Sequence, residues 1–443
     1  MKRSLFVHPS SLVKLFTLLV ALWLIGCQRE PVEVTPTAPV VRATVPALGD
    51  TTPVAAAPTD ETVYLPLTNN SDATPSATPM PLPSPTATAT PAYPLYTGPT
   101  LNRQNIGVQI YLHRVDVPAL FDQLSELGVG WVKVQVSWKL HQPSPDRYDV
   151  ELFTELDQLV HEAENHQIAV LLSVSKAPEW SRPTTELDGP PLDLDLFRQF
   201  MQTLALRYQG NVAAYELWNE PNLQREWHGM ALDAAAFVSL IRAGAEGVRA
   251  ADPTALVISG APAVTGINDG LAAIDDRTYF RAMLAADVAQ VVDGFGVHPY
   301  GWANPPGSTV TNPDPAIPSH NNHPSFFFQD TLRDYSALLA EFGLTDKQLW
   351  VTEFGWGSFA GMGAEPPAEA AFMADVSEWQ QAVYTQRAFE LAHGWPWVGP
   401  MMLWNLNFAP WIGPAFSESG YSLLRPDSSP RPAYFALTAI PKN

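Results

Sequence analysis

From about residue 100 to the C-terminus, short apolar runs alternate with longer amphipathic stretches. This alternation is typical of a parallel sheet whose strands are joined by crossover helices. The apolar runs predict eight strands, at residues 105–111, 130–137, 167–174, 212–218, 255–260, 290–298, 348–353 and 398–404. The amphipathic stretches predict helices at residues 118–127, 150–165, 192–208, 231–250, 279–286, 327–342, 377–392 and 430–440.

Eight strand–helix units in about 340 residues fit an eight-stranded β/α barrel. The fold class predicted for residues 100–443 is therefore α/β, as a (β/α)8 TIM barrel. A doubly wound open sheet is the alternative, but no glycine-rich dinucleotide fingerprint supports it.

The first 99 residues differ in texture from the rest. Within residues 1–27 a basic segment precedes an apolar run at 15–25, which predicts a secretory signal rather than a membrane span. Residues 24–27 (LIGC) resemble the lipobox of bacterial lipoproteins, which implies that a lipid is attached to Cys27, the single cysteine. An ordinary cleaved signal with an incidental cysteine is the alternative.

Residues 28–99 are rich in proline, threonine and alanine. Such a segment buries too little apolar surface to offset its ordering entropy, so we predict a disordered linker. In extended polyproline geometry about 70 residues span up to roughly 200 Å. The expected location is the bacterial cell envelope, on its periplasmic or extracellular face, with membrane contact only through the lipid.

The chain carries a formal net charge of -20. This argues against a nucleic-acid partner, because binding to the phosphate backbone depends on basic patches. Neither the histidines nor the aspartates show the spacing of metal ligands, the candidates being His141, His161, His166, His320, Asp269, Asp275 and Asp276. We expect a monomer that needs no metal and no cofactor.

Two predicted strands end in a glutamate. Strand four ends in Glu220, and alternation along a strand would place Glu216 and Trp218 on the same face as Glu220. Strand seven ends in Glu353. Because the C-terminal strand ends form the active-site face of a β/α barrel, Glu220 and Glu353 are expected at the mouth. Glu216 is expected to point into the barrel in a structural, hydrogen-bonded role.

Glycoside hydrolysis requires such a pair of carboxyl groups. One protonates the leaving oxygen, and the other either attacks the anomeric carbon, at roughly 5–5.5 Å separation, or activates water, at roughly 6.5–9.5 Å. The residues alone leave both options open. We expect the pKa of Glu220 to be raised by the neighbouring Glu353 carboxylate, because like charges disfavour joint ionisation.

Four motifs in order along the chain resemble the signature of clan A glycoside hydrolases, closest to the family 39 and family 5 group. They are 218–221 (WNEP), 298–300 (HPY), 352–353 (TE) and Trp404. The resemblance covers roughly residues 100–443 and implies a retaining (β/α)8 enzyme. Family 5 also has an arginine near the end of strand two or three and a histidine after strand three. Here those strands end in VSW (136–138) and VSK (174–176), so this part of the family 5 pattern does not match.

The resemblance also implies a role for each residue of the motifs. It makes Glu220 the general acid/base, Glu353 the nucleophile, Asn219 a hydrogen-bonding partner of the sugar 2-hydroxyl, Tyr300 a support for Glu353, His298 a lining residue and Trp404 the aromatic floor. The substrate is then a polysaccharide or oligosaccharide with O-glycosidic bonds, which we expect to be β-linked. A transglycosylase with the same pair and a non-catalytic carbohydrate-binding lipoprotein are the alternatives.

Tryptophans are frequent in the predicted strand–helix loops. Sugars stack their C–H faces on aromatic rings, so loop tryptophans suit a saccharide cleft. Besides Trp404, we select Trp138, Trp180 and Trp356 as candidates for substrate binding. The alternative is that these rings pack the loops against the barrel.

Overall fold

The computed structural model describes residues 93–443. The predicted signal peptide, the predicted lipid site at Cys27 and the predicted linker up to residue 92 lie outside the described residues. Within the described part, none of the helices combines the length and the apolar character that crossing a membrane requires.

Eight parallel strands close into one barrel in the order β1 to β8, with β8 paired to β1. The strands are Ile106–Ile110, Trp131–Ser137, Ala169–Ser175, Ala214–Leu217, Leu256–Ser259, Gly294–Val297, Gln348–Phe354 and Val398–Leu403. The predicted barrel is thus confirmed, and each predicted strand contains an observed one or differs from it by a residue at an end.

A helix follows each strand and packs around the barrel. The α-helices are α1 Val117–Leu127, α2 Trp138–His141, α3 Val150–Asn165, α4 Leu194–Arg207, α5 Ala234–Ala251, α6 Asp276–Ala285, α7 Phe328–Glu341, α8 Glu378–His393, α9 Phe408–Ile412, α10 Ser417–Tyr421 and α11 Pro432–Thr438. Local sequence sets their starts: Asp116 caps α1, and Ser377 with Gln380 forms a capping box on α8.

The barrel interior is apolar at its base and charged towards its mouth. Trp131 and Trp350 meet edge to face at 5.2 Å and pack with Ile258 and Met402 inside the base. One alternation step beyond Trp131, Lys133 occupies the inward face of β2. A second apolar layer lies between the strands and the surrounding helices.

The predicted face shared by Glu216, Trp218 and Glu220 is wrong at Trp218. Strand β4 ends at Leu217, and Trp218 takes a left-handed backbone conformation with φ of 76°. Its ring is fully buried and packs against Phe197 of α4 and against Trp227. Alternation stops where the strand stops, so the tryptophan belongs to the outer apolar layer.

The last residues of the segment predicted as a linker contact the helices around the barrel. Tyr93 stacks on Phe435 with ring centres 5.5 Å apart, and the buried carbonyl oxygen of Pro94 accepts a hydrogen bond from Gln386. These contacts attach the start of the described chain to α8 and α11. The folded part therefore includes residues from 93, since aromatic and hydrogen-bonding contacts offset the cost of ordering them.

Candidate active site

Glu220 and Glu353 lie together at the C-terminal mouth of the barrel. Oε1 of Glu220 lies 3.3 Å from Nδ1 of His298, and Oε2 of Glu353 lies 3.9 Å from the same atom. The two carboxylate oxygens are therefore at most about 7.2 Å apart, which is the sum of these distances. Three strands, β4, β6 and β7, thus bring the glutamates and the histidine into one site. A pair at this separation lies within the reach of one glycosidic bond.

Glu353 is held by a half-buried donor, Tyr300, and a fully buried one, Lys133. Tyr300 donates its hydroxyl to Oε2 at 3.0 Å, and Lys133 donates Nζ to Oε1 at 3.1 Å. Lys133 also donates to the backbone oxygen of Thr352 at 3.0 Å. Three contacts on neighbouring atoms fix both the position and the orientation of the carboxylate.

Lys133 is the functional residue that the sequence prediction missed. It is fully buried and lies 3.0 Å from Oε2 of Glu216, which is also fully buried. Burial by itself would lower the pKa of Lys133, but the negative charges of Glu216 and Glu353 raise it, so the side chain is a cation. A lysine on the inward face of a strand was the available signal, because a buried ammonium group requires a paired anion.

Glu220 is held differently. Besides His298, its partner is Arg225, whose Nη2 donates to Oε2 at 2.8 Å from the loop after β4. Burial would raise the pKa of Glu220, but the hydrogen bond to His298 and the charge of Arg225 lower it to about 2. The expected rise is therefore wrong for the unliganded protein, because these two partners outweigh the effect of burial.

His298 is completely buried between the two carboxylates. Burial would lower its pKa, but the charge of Glu353 and the hydrogen bond to Glu220 raise it. Its Nε2 has no hydrogen-bond partner within residues 93–443. The ring therefore serves to link the two acids, consistent with a lining position.

Asn219 and Trp404 complete the mouth. Asn219 is half-buried beside Glu220, and its buried Oδ1 lacks a hydrogen-bond partner among residues 93–443. Trp404 is also half-buried; its ring lies 6.0 Å from that of Tyr300 and 5.1 Å from that of Tyr421. An available polar group and an aromatic surface next to paired carboxylates are what a sugar ring requires.

Trp138 and Trp356 are not in this site. Trp138 is fully buried and packs against Phe197 and Phe200 of α4. Trp356 has 1% of its surface exposed and donates its ring N–H to the backbone oxygen of Asn304. Their selection as substrate-binding residues is wrong, because neither ring has a free face.

Trp180 stays a candidate. It is half-buried on the loop after β3, stands edge-on to Trp138 at 6.3 Å and donates its ring N–H to the backbone oxygen of Gln142. These contacts position the ring and leave part of it open to solvent.

One group of potential metal ligands occurs within residues 93–443. His113, Glu151 and Glu155 bring ligand atoms within 4.8 Å of one another. His113 Nδ1 lies 3.0 Å from Oε1 of Glu155, and Arg114 Nε lies 3.6 Å from Oε1 of Glu151. Protein groups thus already partner these carboxylates, and the positive charge of Arg114 opposes a cation there.

A closed β/α barrel with two glutamates at its C-terminal mouth, one after β4 and one on β7, is the arrangement typical of clan A glycoside hydrolases. Residues 98–388 match the sequence model of cellulase, glycosyl hydrolase family 5. The chain belongs to this family. No curated protein matches the chain.

Solved structures agree on the fold. A family 39 glycoside hydrolase from Bacteroides cellulosilyticus has a TM-score of 0.57 at 19% identity, over 77% of this chain and 64% of that chain. A glucosidase from Croceicoccus marinus has a TM-score of 0.54 at 16% identity, over 77% of this chain and 68% of that chain. An exo-β-1,4-mannosidase from an Opitutaceae bacterium has a TM-score of 0.52 at 15% identity, over 79% of this chain and 60% of that chain. This chain thus spans less than two thirds of the length of the first and third.

Proposed function

We propose that the protein is a retaining glycosidase that cleaves β-linked O-glycosidic bonds in polysaccharides or oligosaccharides by double displacement. The observation that carries the proposal is the placement of both glutamates within 4 Å of His298. The contacts of Lys133 and Tyr300 with Glu353 support the role of that carboxylate as the nucleophile.

In the first half-reaction, a carboxylate oxygen of Glu353 attacks the anomeric carbon while Glu220 gives a proton to the leaving oxygen. The glycosidic bond breaks and a glycosyl ester of Glu353 forms. In the second half-reaction, Glu220 removes a proton from water, and the water oxygen displaces Glu353 from the sugar. Asn219 contacts the 2-hydroxyl and Trp404 supports the apolar face of the ring.

Lys133 suits this cycle because it keeps a partner throughout. When Glu353 becomes an ester its negative charge disappears, and without a second partner the buried charge of Lys133 would then be uncompensated. The ion pair with Glu216 at 3.0 Å provides the remaining counter-charge. The ammonium group therefore stays charged in both half-reactions and is ready to stabilise Glu353 when it leaves.

We also propose that the enzyme is anchored by a lipid at Cys27 and held away from the membrane by the segment up to residue 92. The basic, apolar and LIGC pattern of residues 1–27 supports this. Lipid labelling of the wild type and of Cys27→Ser tests it. Label on Cys27→Ser would overturn it.

The experiment that tests the enzymatic proposal is a panel of β-glucosides, β-mannosides, β-xylosides and their polymers, with product stereochemistry followed by NMR. Initial release of the β-anomer supports the retaining mechanism. Initial release of the α-anomer from a β-linked substrate indicates single displacement by water and overturns it. Binding without release of reducing sugar over the whole panel overturns the catalytic role.

A further inference from the structure

The proton donor of a glycosidase must carry a proton when the substrate is bound, but Glu220 is paired as an anion in the unliganded protein. Nη2 of Arg225 lies 2.8 Å from its Oε2. The Arg225 side chain is 66% exposed, whereas that of Glu220 is 13% exposed. The guanidinium group therefore covers Glu220 on its solvent side, and an incoming leaving group meets Arg225 first.

Arg225 has a second acidic neighbour. Its Nε lies 4.0 Å from Oε1 of Glu226, a carboxylate whose side chain is only 13% exposed. Within residues 93–443, Arg225 is the one cation within 4 Å of that carboxylate. A small rotation of an exposed side chain is thus enough to exchange one carboxylate for the other.

We propose that Arg225 is a positioning residue with two partners: it pairs with Glu220 in the free enzyme and turns onto Glu226 when a sugar leaving group enters. This inference rests on the proposed function. The exchange conserves charge and protons, because Glu226 loses a proton as it pairs with Arg225 and Glu220 gains one as it is released.

The protonation of the two acids fits this exchange. Burial raises the pKa of Glu226 to about 7, so this carboxyl keeps its proton to a higher pH than an exposed glutamate does and can still release it. His298 and Arg225 keep the pKa of Glu220 at about 2 despite its burial. Removing Arg225 from Glu220 takes away a positive charge and makes protonation easier, since an opposite charge nearby shifts a carboxyl by about 1–3 units.

Charged groups on several other elements lie close enough to Glu226 and Arg225 to affect their protonation. Lys176 after β3, Asp188 in the loop before α4 and Glu220 act on Glu226. Glu418 of α10 acts on Arg225. Lys176 is itself paired with Asp188 at 3.4 Å, so it contributes less to Glu226 than an unpaired lysine would. These groups are unchanged in the variants below, and their effect is common to all of them.

The test compares two pH profiles of the full-length enzyme. The profile of kcat/KM reports the free enzyme, and that of the single-turnover cleavage rate at saturating substrate reports the complex. We expect the basic limb of kcat/KM to lie at lower pH than that of the cleavage rate in the wild type. In Arg225→Gln the basic limb of the kcat/KM profile should move up by about 1–3 pH units, towards the basic limb of the cleavage-rate profile.

Two further variants separate a specific role from a general one. Arg225→Lys keeps the charge and should restore most of the wild-type separation between the limbs. Glu226→Gln removes the second partner, so cleavage of natural glycosides should fall by about tenfold or more, while aryl glycosides with good leaving groups, which need little acid assistance, should change little. Arg249→Gln, at an exposed arginine paired with Asp293, is the matched control.

An unmoved basic limb in a folded Arg225→Gln variant, with thermal unfolding as in the wild type, overturns the inference. Equal losses on natural and activated substrates in Glu226→Gln do so as well. Failure of the proposed function gives a different result: the wild type is inactive on the panel, or Glu353→Ala keeps full activity.

Discussion

The rims at β4 and β7 each present one glutamate to the same histidine, but they hold it in opposite ways. Glu353 of β7 is fixed from below by Lys133, which is fully buried, and from the side by Tyr300. Glu220 of β4 is covered from above by Arg225, the most exposed of the residues that contact the pair. One carboxylate has an immobile cation, and the other has a movable one.

The difference matches the chemistry expected of each acid. A nucleophile must remain an anion with a fixed lone-pair direction, and donors that are held in place, such as the fully buried Lys133, provide this without reorganising. An acid/base must gain and lose a proton in every cycle, so its partners must be able to leave.

The first and largest test of this comparison is Glu353→Ala. Loss of the nucleophile should lower kcat by at least about 10⁴-fold, as for other covalent catalysts. Added azide fills the space left by the carboxylate and should restore turnover with inverted product. Thermal unfolding and NMR of the products are the measurements, and an active variant without azide would show that β7 does not carry the nucleophile.

Glu220→Ala tests the other rim. General acid–base catalysis contributes about 10²–10⁴-fold, so natural glycosides should lose activity in that range. Aryl glycosides with good leaving groups should be cleaved nearly as fast in the first step. Steady-state rates on a series of leaving groups check this. A uniform loss over the series would contradict the role of Glu220 as the acid.

The barrel and the position of both glutamates at its mouth could be predicted because they depend on where the strands end. Glu353 lies within β7 and Glu220 lies in the segment that directly follows β4, so both are at the C-terminal face. Trp138 and Trp218 could not be placed, since each lies one residue beyond a strand end, where alternation no longer applies. The Arg225 contact depends on a loop conformation with no period in the sequence.

Lys133→Met should affect both stability and activity. Removing the cation leaves Glu216 buried without a partner, which costs about 3–5 kcal/mol. Activity at low pH should fall first, because the anionic form of Glu353 loses its support. Denaturant unfolding and the acid limb of the pH profile measure the two effects.

Two matched variants identify the cause of that loss. Lys347→Met removes a lysine that only donates to the backbone oxygen of Val292, so the acid limb should not move. Lys133→Met combined with Glu216→Leu removes both charges and should regain part of the stability, since replacing a whole buried pair by apolar groups is often neutral. No recovery in the double variant would mean that the ion pair is not the source of the loss.

The smallest expected effect on activity separates the tryptophans of the mouth from those of the core. Trp404→Ala should raise KM or lower kcat by about tenfold, because an aromatic contact contributes about 0.5–1.5 kcal/mol beyond its buried area. Trp138→Ala should leave the kinetics of the folded enzyme unchanged but reduce the free energy of unfolding by about 3–5 kcal/mol, since its ring fills the space between β2 and α4. Kinetics at 25 °C and denaturant unfolding of both variants give the four values needed. If Trp138→Ala raised KM with unchanged stability, its ring would face the substrate, and the division between a catalytic mouth and a packed outer layer would be wrong.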